Sequence, residues 1–274
     1  MATLTLANVH EAVQKLVAFL KSGQDARQPE GDVNMLFTSS SEEKQASVEI
    51  EVAFITSPVA HRVPLYFVVP HEIMLGTICL ITNPPQDSYE RKVLALAEDS
   101  DPIAQRVKRI MDTKNLNAKI NDPVSVRAFS KSYDNFILYD VKKFPKQLTG
   151  EFLGHQRLPV WIAKSANLSE ALTTASKTVV VPRRGANAAV CRVGHTGLSV
   201  SQLEENITVF IDSLVQSPRG CRAADILHIR VAGTNAAGKR AGLPIFGHPF
   251  ELVASERATV QESKLRTSAV RSAV

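Results

Sequence analysis

Two changes in strand pattern along the chain constrain its fold more than any other feature of the sequence. Residues 47–56, SVEIEVAFIT, alternate apolar side chains with Glu49 and Glu51, as strands of an antiparallel sheet with one buried face do. Residues 76–82, GTICLIT, are a continuous apolar run, which is typical of a parallel strand buried on both faces. After Lys164 the alternating pattern returns. The fold class is therefore predicted to be α/β, with a parallel unit inserted into an antiparallel one.

The predicted domain boundaries follow from these two changes. Residues 75–160 are expected to form an inserted, Rossmann-like α/β domain with a mostly parallel sheet. Residues 1–74 and 161–254 together form a discontinuous α+β host domain, and 255–274 form a C-terminal tail with little apolar content. The length of 274 residues suits two domains. Because the chain crosses between them only twice, we expect a hinge at the crossings.

Helical periodicity predicts the helices of the host domain. Apolar residues recur at helical spacing from Leu203 to Leu214, and Ser201 with Glu204 has the spacing of a capping box at the start of this helix. Asn8 is placed to cap a first helix near the N-terminus.

Weaker signals predict further elements. In the inserted domain, one helix is expected over 102–111, with Asp101 as its cap, and another over the basic segment 141–150. Residues 32–40 have the pattern of a short strand. Trp161 lies in an apolar strand and is expected in the core.

The segment from Gly233 to Lys239 matches the spacing of a phosphate-cradling loop, G-x-x-x-x-G-K, and follows a predicted strand. Such a loop continues into a helix, but Arg240 stands where Ser or Thr would hold the metal, and Pro244 would break the helix. A nucleotide-binding enzyme is therefore the least favoured interpretation. A flexible glycine-rich loop can still approach a phosphate backbone through its amides, hydroxyl and cations.

Searches for catalytic and metal-binding patterns predict neither an enzyme nor a cofactor. No nucleophile elbow, zinc-protease motif or paired carboxylates occur. Cys191 with His195 and Cys221 with His228 are candidate thiol–imidazole pairs, but such residues more often pack in cores. Three cysteines without C-x-x-C spacing favour a reducing compartment. No apolar run of about 18 residues occurs, so no membrane-spanning segment is expected.

Positive charge lies mainly after the acidic first quarter of the chain, within a formal net charge of +5. This distribution favours a contact between the later segments and a polyanion. The candidate RNA-binding residues are Arg183, Arg184, Arg192, Thr234, Asn235, Lys239 and Arg240. Arg183, Arg184 and Arg192 are expected on the same face as Thr234, Lys239 and Arg240, because both groups flank strands of the host sheet. Aromatic residues are only 6% of the chain, so phosphates and folded shape are favoured over base stacking. An ordinary solvated surface is the alternative.

Four blocks of the sequence resemble the ribosomal protein L-one family, and most closely its eukaryotic nucleolar branch of ribosome-biogenesis factors. The first is SVEIEVAFIT with VPLYFVVPHEI, and the second is SYDNFILYDVKKFPKQLTGEFLG with LPVWI. The third, CRVGHTGLSVSQLEENI, is the most specific, and the fourth is LHIRVAGTNAAGKRAGLPIF. The resemblance covers roughly residues 1–250 and implies the same inserted-domain order.

The resemblance also implies a function. It implies a non-enzymatic, nucleolar or nuclear factor whose partners are precursor ribosomal RNA, other assembly factors and ribosomal proteins, with no membrane. Thr234 matches the family's RNA-contacting threonine, and Asn235-Ala236-Ala237 replace the Met-Gly-Pro of translating stalk proteins. This difference favours an assembly factor over the first alternative, a ribosomal protein of the tRNA-exit stalk. The second alternative is an enzyme that binds nucleotides with the 233–240 loop.

Overall fold

The computed structural model describes residues 6–22, 45–56, 58–148, 158–165 and 167–248. The strand expected at 32–40 and the tail at 255–274 lie outside these residues. The helices and strands of the described residues are α1 (Val9–Ser22), β1 (Ser47–Phe54), β2 (Leu65–Val68), β3 (Ile78–Thr82), α2 (Gln86–Glu98), β4 (Val107–Asp112), α3 (Thr113–Lys119), α4 (Pro123–Ser132), β5 (Asn135–Tyr139), β6 (Val160–Ile162), α5 (Leu168–Ser176), β7 (Thr178–Val181), β8 (Ala188–His195), α6 (Val200–Gln216), β9 (Ile226–Thr234) and β10 (Arg240–Gly247).

A four-stranded antiparallel sheet joins the two ends of the chain. Its strand order is β10-β9-β1-β8, so residues near 50 pair with residues near 190 and 230. Val48, Ile50 and Val52 of β1 are buried under α1 and α6, which pack on the same face of the sheet. The alternation of β1 predicted that these three side chains share one face, because successive side chains of a strand point to opposite faces.

A separate two-stranded ribbon pairs β2 with β7. Pro64 and Pro70 flank β2, and the short ribbon accommodates them because proline is tolerated at the ends and edges of strands. Although β7 and β8 are neighbours in the sequence, they lie in different sheets and do not form a hairpin. The turn between them, which carries Arg183 and Arg184, therefore does not extend the antiparallel sheet.

The middle of the chain forms a four-stranded sheet in which every pair is parallel, in the order β4-β3-β5-β6. All residues of β3 are buried, as its continuous apolar run predicted, and so are all residues of β5. Tyr89 and Val93 of α2 pack on one face of this sheet. Leu116 of α3 and Phe129 of α4 pack on the other. The mixed α/β fold class is confirmed.

The helix predicted over 102–111 is wrong. Asp101 caps only a single 3-10 turn, with Oδ1 accepting from the amides of Ile103 (2.9 Å) and Ala104 (3.0 Å), and the chain then enters strand β4. Strand β4 lies at the edge of the sheet and leaves Lys108 and Arg109 exposed. An edge strand with exposed polar positions imitates the pattern of an amphipathic helix, which explains the error.

The helix predicted over 141–150 is also wrong in its described part. Val141, Phe144 and Leu148 are buried at spacings that suit a helix, but Pro145 limits the helical part to one 3-10 turn at Lys146–Leu148. The capping box of α6 lies two residues earlier than predicted. Ser199 Oγ accepts from the amide of Gln202 (3.2 Å), and Gln202 Oε1 accepts from the amide of Ser199 (3.0 Å).

The antiparallel and parallel units share a continuous apolar core. One cluster includes Ile50 of β1, Leu80 of β3 and Val93 of α2. Polar contacts also cross between the units, such as the ion pair of Glu72 with Arg106. The division into two domains and the hinge between them stay predictions.

Candidate nucleic-acid interface

The face of the antiparallel sheet opposite α1 and α6 carries a mixed set of charged side chains. The strand register places Glu49 beside Arg192 of β8, and Glu51 beside Arg230 of β9. At the far end of β9, Thr234 lies opposite Arg240 of β10. The charged and hydroxyl side chains of this open sheet face are Glu49, Glu51, Arg192, Arg230, Thr234 and Arg240.

The acidic side chains of β1 are less exposed than the alternating pattern predicted. Glu49 is only 2% exposed and pairs with Arg240, whose Nη1 lies 2.9 Å from Glu49 Oε2. Arg240 Nη2 also lies 4.0 Å from Glu51 Oε2. A carboxylate this buried requires a cationic partner, because desolvation penalises its charged form. Arg240 therefore has a structural role in the sheet in addition to any contact with a ligand.

The hairpin between β9 and β10 is closed by Asn235. Its backbone N–H donates to the Lys239 carbonyl oxygen (2.9 Å), and its side-chain Oδ1 accepts from the backbone N–H of Lys239 (2.9 Å). Gly238 has a φ of 79°, in the left-handed region that favours glycine. These bonds fix the turn and leave Thr234 and Lys239 exposed beside it. Asn235, 8% exposed, stabilises the turn instead of presenting its amide to solvent.

This hairpin lacks the geometry of a phosphate-cradling loop. Residues 240–247 continue as strand β10, so no helix N-terminus follows Lys239. The structure therefore agrees with the argument from Arg240 and Pro244 against nucleotide binding.

Arg192 faces the parallel unit. Its Nη1 donates to Asn135 Oδ1 at the start of β5 (3.1 Å). The side chain is half-buried where the two units meet. Arg192 thus lies on the open sheet face, as expected, but near its border with the parallel sheet.

The structure does not bring Arg183 and Arg184 to the same place as Thr234 and Lys239. Both arginines follow β7, and Arg184 lies beside Phe54 and Ala188, at the opposite end of the sheet from the hairpin. The nine residues of β9 separate these ends by about 26 Å, at about 3.3 Å per residue. The expected shared face was therefore wrong for Arg183 and Arg184, because β7 and β8 belong to different sheets.

The family model of the Ribosomal protein L1p/L10e family matches residues 35–237, which is more than half of the chain. The chain belongs to this family. No curated protein matches it. Proteins of the family bind RNA in a ribosomal context and are not catalytic, so membership supports RNA binding.

The most specific of the resembling blocks has a structural explanation. Gly194 lies under α6, where an added Cβ would collide with Leu203 Cδ2. Asn206 is fully buried and accepts from the His71 amide through Oδ1 (2.9 Å), while its Nδ2 donates to the Val193 carbonyl oxygen (2.9 Å). The third block therefore holds the first block in place. The resemblance to the family at Gly194 and Asn206 therefore reflects their role in the fold and not a contact with a ligand.

One residue of the open sheet face was missed by the sequence argument. Arg230 is exposed on β9, two residues from buried Ala232 and four from Thr234. Counting in steps of two along DILHIRVAGT from Thr234 would have identified it, because alternate residues of a strand share a face.

The three cysteine thiols lie in environments that raise their pKa values. Burial raises the pKa of Cys79 to about 12 and that of Cys221 to about 11, and it also raises the pKa of Cys191. Thiols with raised pKa values are poor nucleophiles at neutral pH. Within the described ranges, no group of three or more His, Cys, Asp or Glu residues could hold a metal ion. Among the same residues, no helix is long and apolar enough to cross a membrane.

Proposed function

We propose that this protein is a non-catalytic assembly factor that binds precursor ribosomal RNA in nucleolar pre-ribosomal particles. Its partners there would be other assembly factors and ribosomal proteins. Family membership supports RNA binding in a ribosomal context. The nucleolar location and the precursor RNA are the further steps of the proposal.

The construction of the β9–β10 hairpin carries the proposal. Asn235 closes this turn with two bonds to Lys239, at the position where translating stalk proteins of the family have Met-Gly-Pro. A turn built from different bonds presents different atoms to RNA beside Thr234. This supports a binding partner other than the mature stalk RNA.

The open sheet face and its hairpin would supply the RNA contacts. Arg230, Thr234 and Lys239 are exposed there. Cations at these positions can neutralise phosphates, and a threonine hydroxyl can bond to a phosphate or to a ribose 2′-hydroxyl. The side chain of Arg240 is 43% exposed although it pairs with Glu49, so it would also contact a phosphate.

Binding of purified protein to precursor RNA fragments at several salt concentrations tests this interface. The double variant Arg230→Ala, Lys239→Ala should reduce the magnitude of the slope of log K against log salt by about 1.4–1.8, since each phosphate contact contributes roughly 0.7–0.9. Thr234→Val should leave the slope unchanged and cost on the order of 1 kcal/mol of binding free energy. The matched control, Arg127→Ala with Lys131→Ala on α4, removes the same charge elsewhere. Equal slopes in both pairs would place the RNA away from the hairpin.

Sedimentation of cell extracts separates the proposed function from the stalk alternative. We expect the protein to sediment with precursor particles and to be absent from polysomes. A peak that follows polysomes would support a ribosomal stalk protein instead.

A further inference from the structure

A basic cleft lies where the β2–β7 ribbon faces the carboxyl ends of β5 and β6. Its first part has a volume of about 720 Å³ and is lined by four cationic residues from four segments: Lys142, Lys164, Arg183 and Arg219. Its walls come from both the antiparallel unit and the parallel unit. A ligand in this part of the cleft would therefore touch both.

A second part of about 530 Å³ continues the cleft along the parallel sheet. Its cationic lining residues are Arg62, Lys142, Lys143 and Lys146. Because Lys142 and Val141 line both parts, the two parts adjoin. Each volume falls in the range of roughly 300–1,000 Å³ that suits a small organic ligand.

The charge of the cleft is strongly unbalanced. Asp140 is the acidic residue in the lining of the two parts, and it already accepts from Tyr89 (3.0 Å) and lies 3.8 Å from Lys164 Nζ. Burial, and after it the charge of Arg219, lowers the pKa of Arg183. Two guanidinium groups that repel each other across a cleft favour the binding of an anion between them.

Arg183 keeps hydrogen-bonding capacity for such an anion. Its Nε and Nη2 donate to the Val63 carbonyl oxygen (3.1 and 3.0 Å), which uses two of its five N–H groups. The bonds to Val63 also fix the orientation of the guanidinium at the edge of the cleft. A preoriented guanidinium loses little entropy when it binds a phosphate.

Trp161 adds an aromatic surface to the cleft. The side chain packs against the core of the parallel unit, as the sequence predicted, but it is only half-buried and also lines the first part. Its Nε1 donates to the Val141 carbonyl oxygen (2.9 Å), and its ring packs edge-on against Phe144. The indole is therefore held in one orientation beside the cations. Aromatic rings next to cations bind unpaired bases and their phosphates together.

We propose that the basic cleft binds a single-stranded RNA segment, whose phosphates contact Lys142, Lys143, Arg183 and Arg219 and one of whose bases stacks on Trp161. The inference rests on the proposed function for the class of ligand, and it adds a second RNA site remote from the β9–β10 hairpin. Arginine forks and a planar ring suit nucleotides better than they suit the carboxylates of an acidic peptide. An RNA strand in this cleft would bridge the antiparallel and parallel units.

Trp161 provides a direct readout, because it is the single tryptophan of the chain. We would excite the full-length protein at a wavelength that RNA does not absorb and titrate it with a single-stranded RNA oligonucleotide. We expect saturable quenching of Trp161 with the same midpoint as binding measured by anisotropy of labelled RNA. Polyglutamate of similar charge, titrated in the same way, tests the acidic peptide as ligand.

Charge removal in the cleft should weaken this binding. The triple variant Lys142→Ala, Lys143→Ala, Arg219→Ala changes three exposed side chains. It should reduce the magnitude of the slope of log K against log salt by about 2. The affinity at 0.1 M salt should fall on the order of 100-fold. The matched control Lys108→Ala, Arg127→Ala, Lys131→Ala removes the same charge from exposed positions that line neither part of the cleft. It should bind almost as the wild type does.

The outcomes separate the two proposals. If the wild type binds RNA but Trp161 does not respond and the two triple variants have equal slopes, the cleft is not an RNA site and the proposed function stands. If polyglutamate quenches Trp161 and RNA does not, the occupant is an acidic protein segment and the inference is wrong. If the wild type binds no precursor or single-stranded RNA at all, both proposals fail.

Discussion

The amide of Asn206 ties α6 to β8 and to the chain at His71. Besides the bonds to the His71 amide and the Val193 carbonyl oxygen, its Nδ2 donates to the His71 carbonyl oxygen (3.3 Å). Asn206→Ala should lower the free energy of unfolding by about 2–4 kcal/mol, because buried backbone groups lose their partners. Denaturant unfolding measures this. Thr208→Ala, exposed on the same helix, should change it by about 0.5 kcal/mol or less. A loss below about 1 kcal/mol for Asn206→Ala would contradict the account.

His195 should make stability depend on pH. Burial lowers its pKa, while Glu72 acts in the opposite direction and Arg106 and Arg192 lower it further. The unfolded state, with an ordinary histidine pKa of about 6.5, therefore binds more protons around and below that pH than the folded state does. The free energy of unfolding should fall as the pH decreases from about 7.5 to 5.5. His195→Asn keeps an acceptor for the Gly197 amide and should show a shallower fall in urea unfolding. Equal slopes would show that another group titrates.

Arg240 and Lys239 are adjacent cations with different roles. Arg240→Ala removes a cationic partner from Glu49, which is 2% exposed, and should lower the free energy of unfolding by about 1–3 kcal/mol. Lys239 is exposed in the turn, and Lys239→Ala should change stability by no more than about 0.5 kcal/mol. Thermal or urea unfolding of both variants tests the difference. Equal effects would mean that the Glu49 pair contributes no more than a surface contact.

At the scale of elements, the packing of α6 on β8 depends on the missing side chain of Gly194. An alanine there would collide with Leu203 Cδ2, so Gly194→Ala should cost about 1–3 kcal/mol. Leu203→Ala alone should cost about 2–5 kcal/mol, because it leaves a cavity. The double variant should cost less than the sum, since the new methyl group occupies part of that cavity. A double-mutant cycle by urea unfolding measures the coupling, and strict additivity would contradict this packing.

The elements that the sequence predicted correctly are those whose pattern is local. Strand β1 follows from its alternation of apolar and polar residues, and strand β3 from its continuous apolar run. Edge strand β4 does not, because it is strand only through its pairing with β3. The positions of Arg183 and Arg184 were wrong for the same reason. Which sheet β7 joins depends on residues more than 100 positions away, in β2.

At the scale of the whole molecule, the net positive charge favoured a polyanion as ligand, but it did not locate the site where the polyanion would bind. The acidic residues of β1 neutralise Arg240 on the open sheet face, whereas the basic cleft gathers cations from segments far apart in the sequence. Thr234 and Lys239 lie exposed beside a turn, as residues of a glycine-rich segment between two strands commonly do, and their contact with RNA stays a prediction. The places of Lys164, Arg219 and Trp161 in the cleft were not predicted, since the cleft exists only once the two units meet.

Crosslinking of RNA to the protein in living cells, followed by sequencing of the attached RNA, distinguishes an assembly factor from a stalk protein. We expect the crosslinked fragments to include spacer sequences that occur only in precursor ribosomal RNA. The combined variant Arg230→Ala, Lys239→Ala should lose most of these fragments, because its phosphate contacts are removed. Crosslinks confined to mature ribosomal RNA in translating ribosomes would contradict the claim and support the stalk alternative.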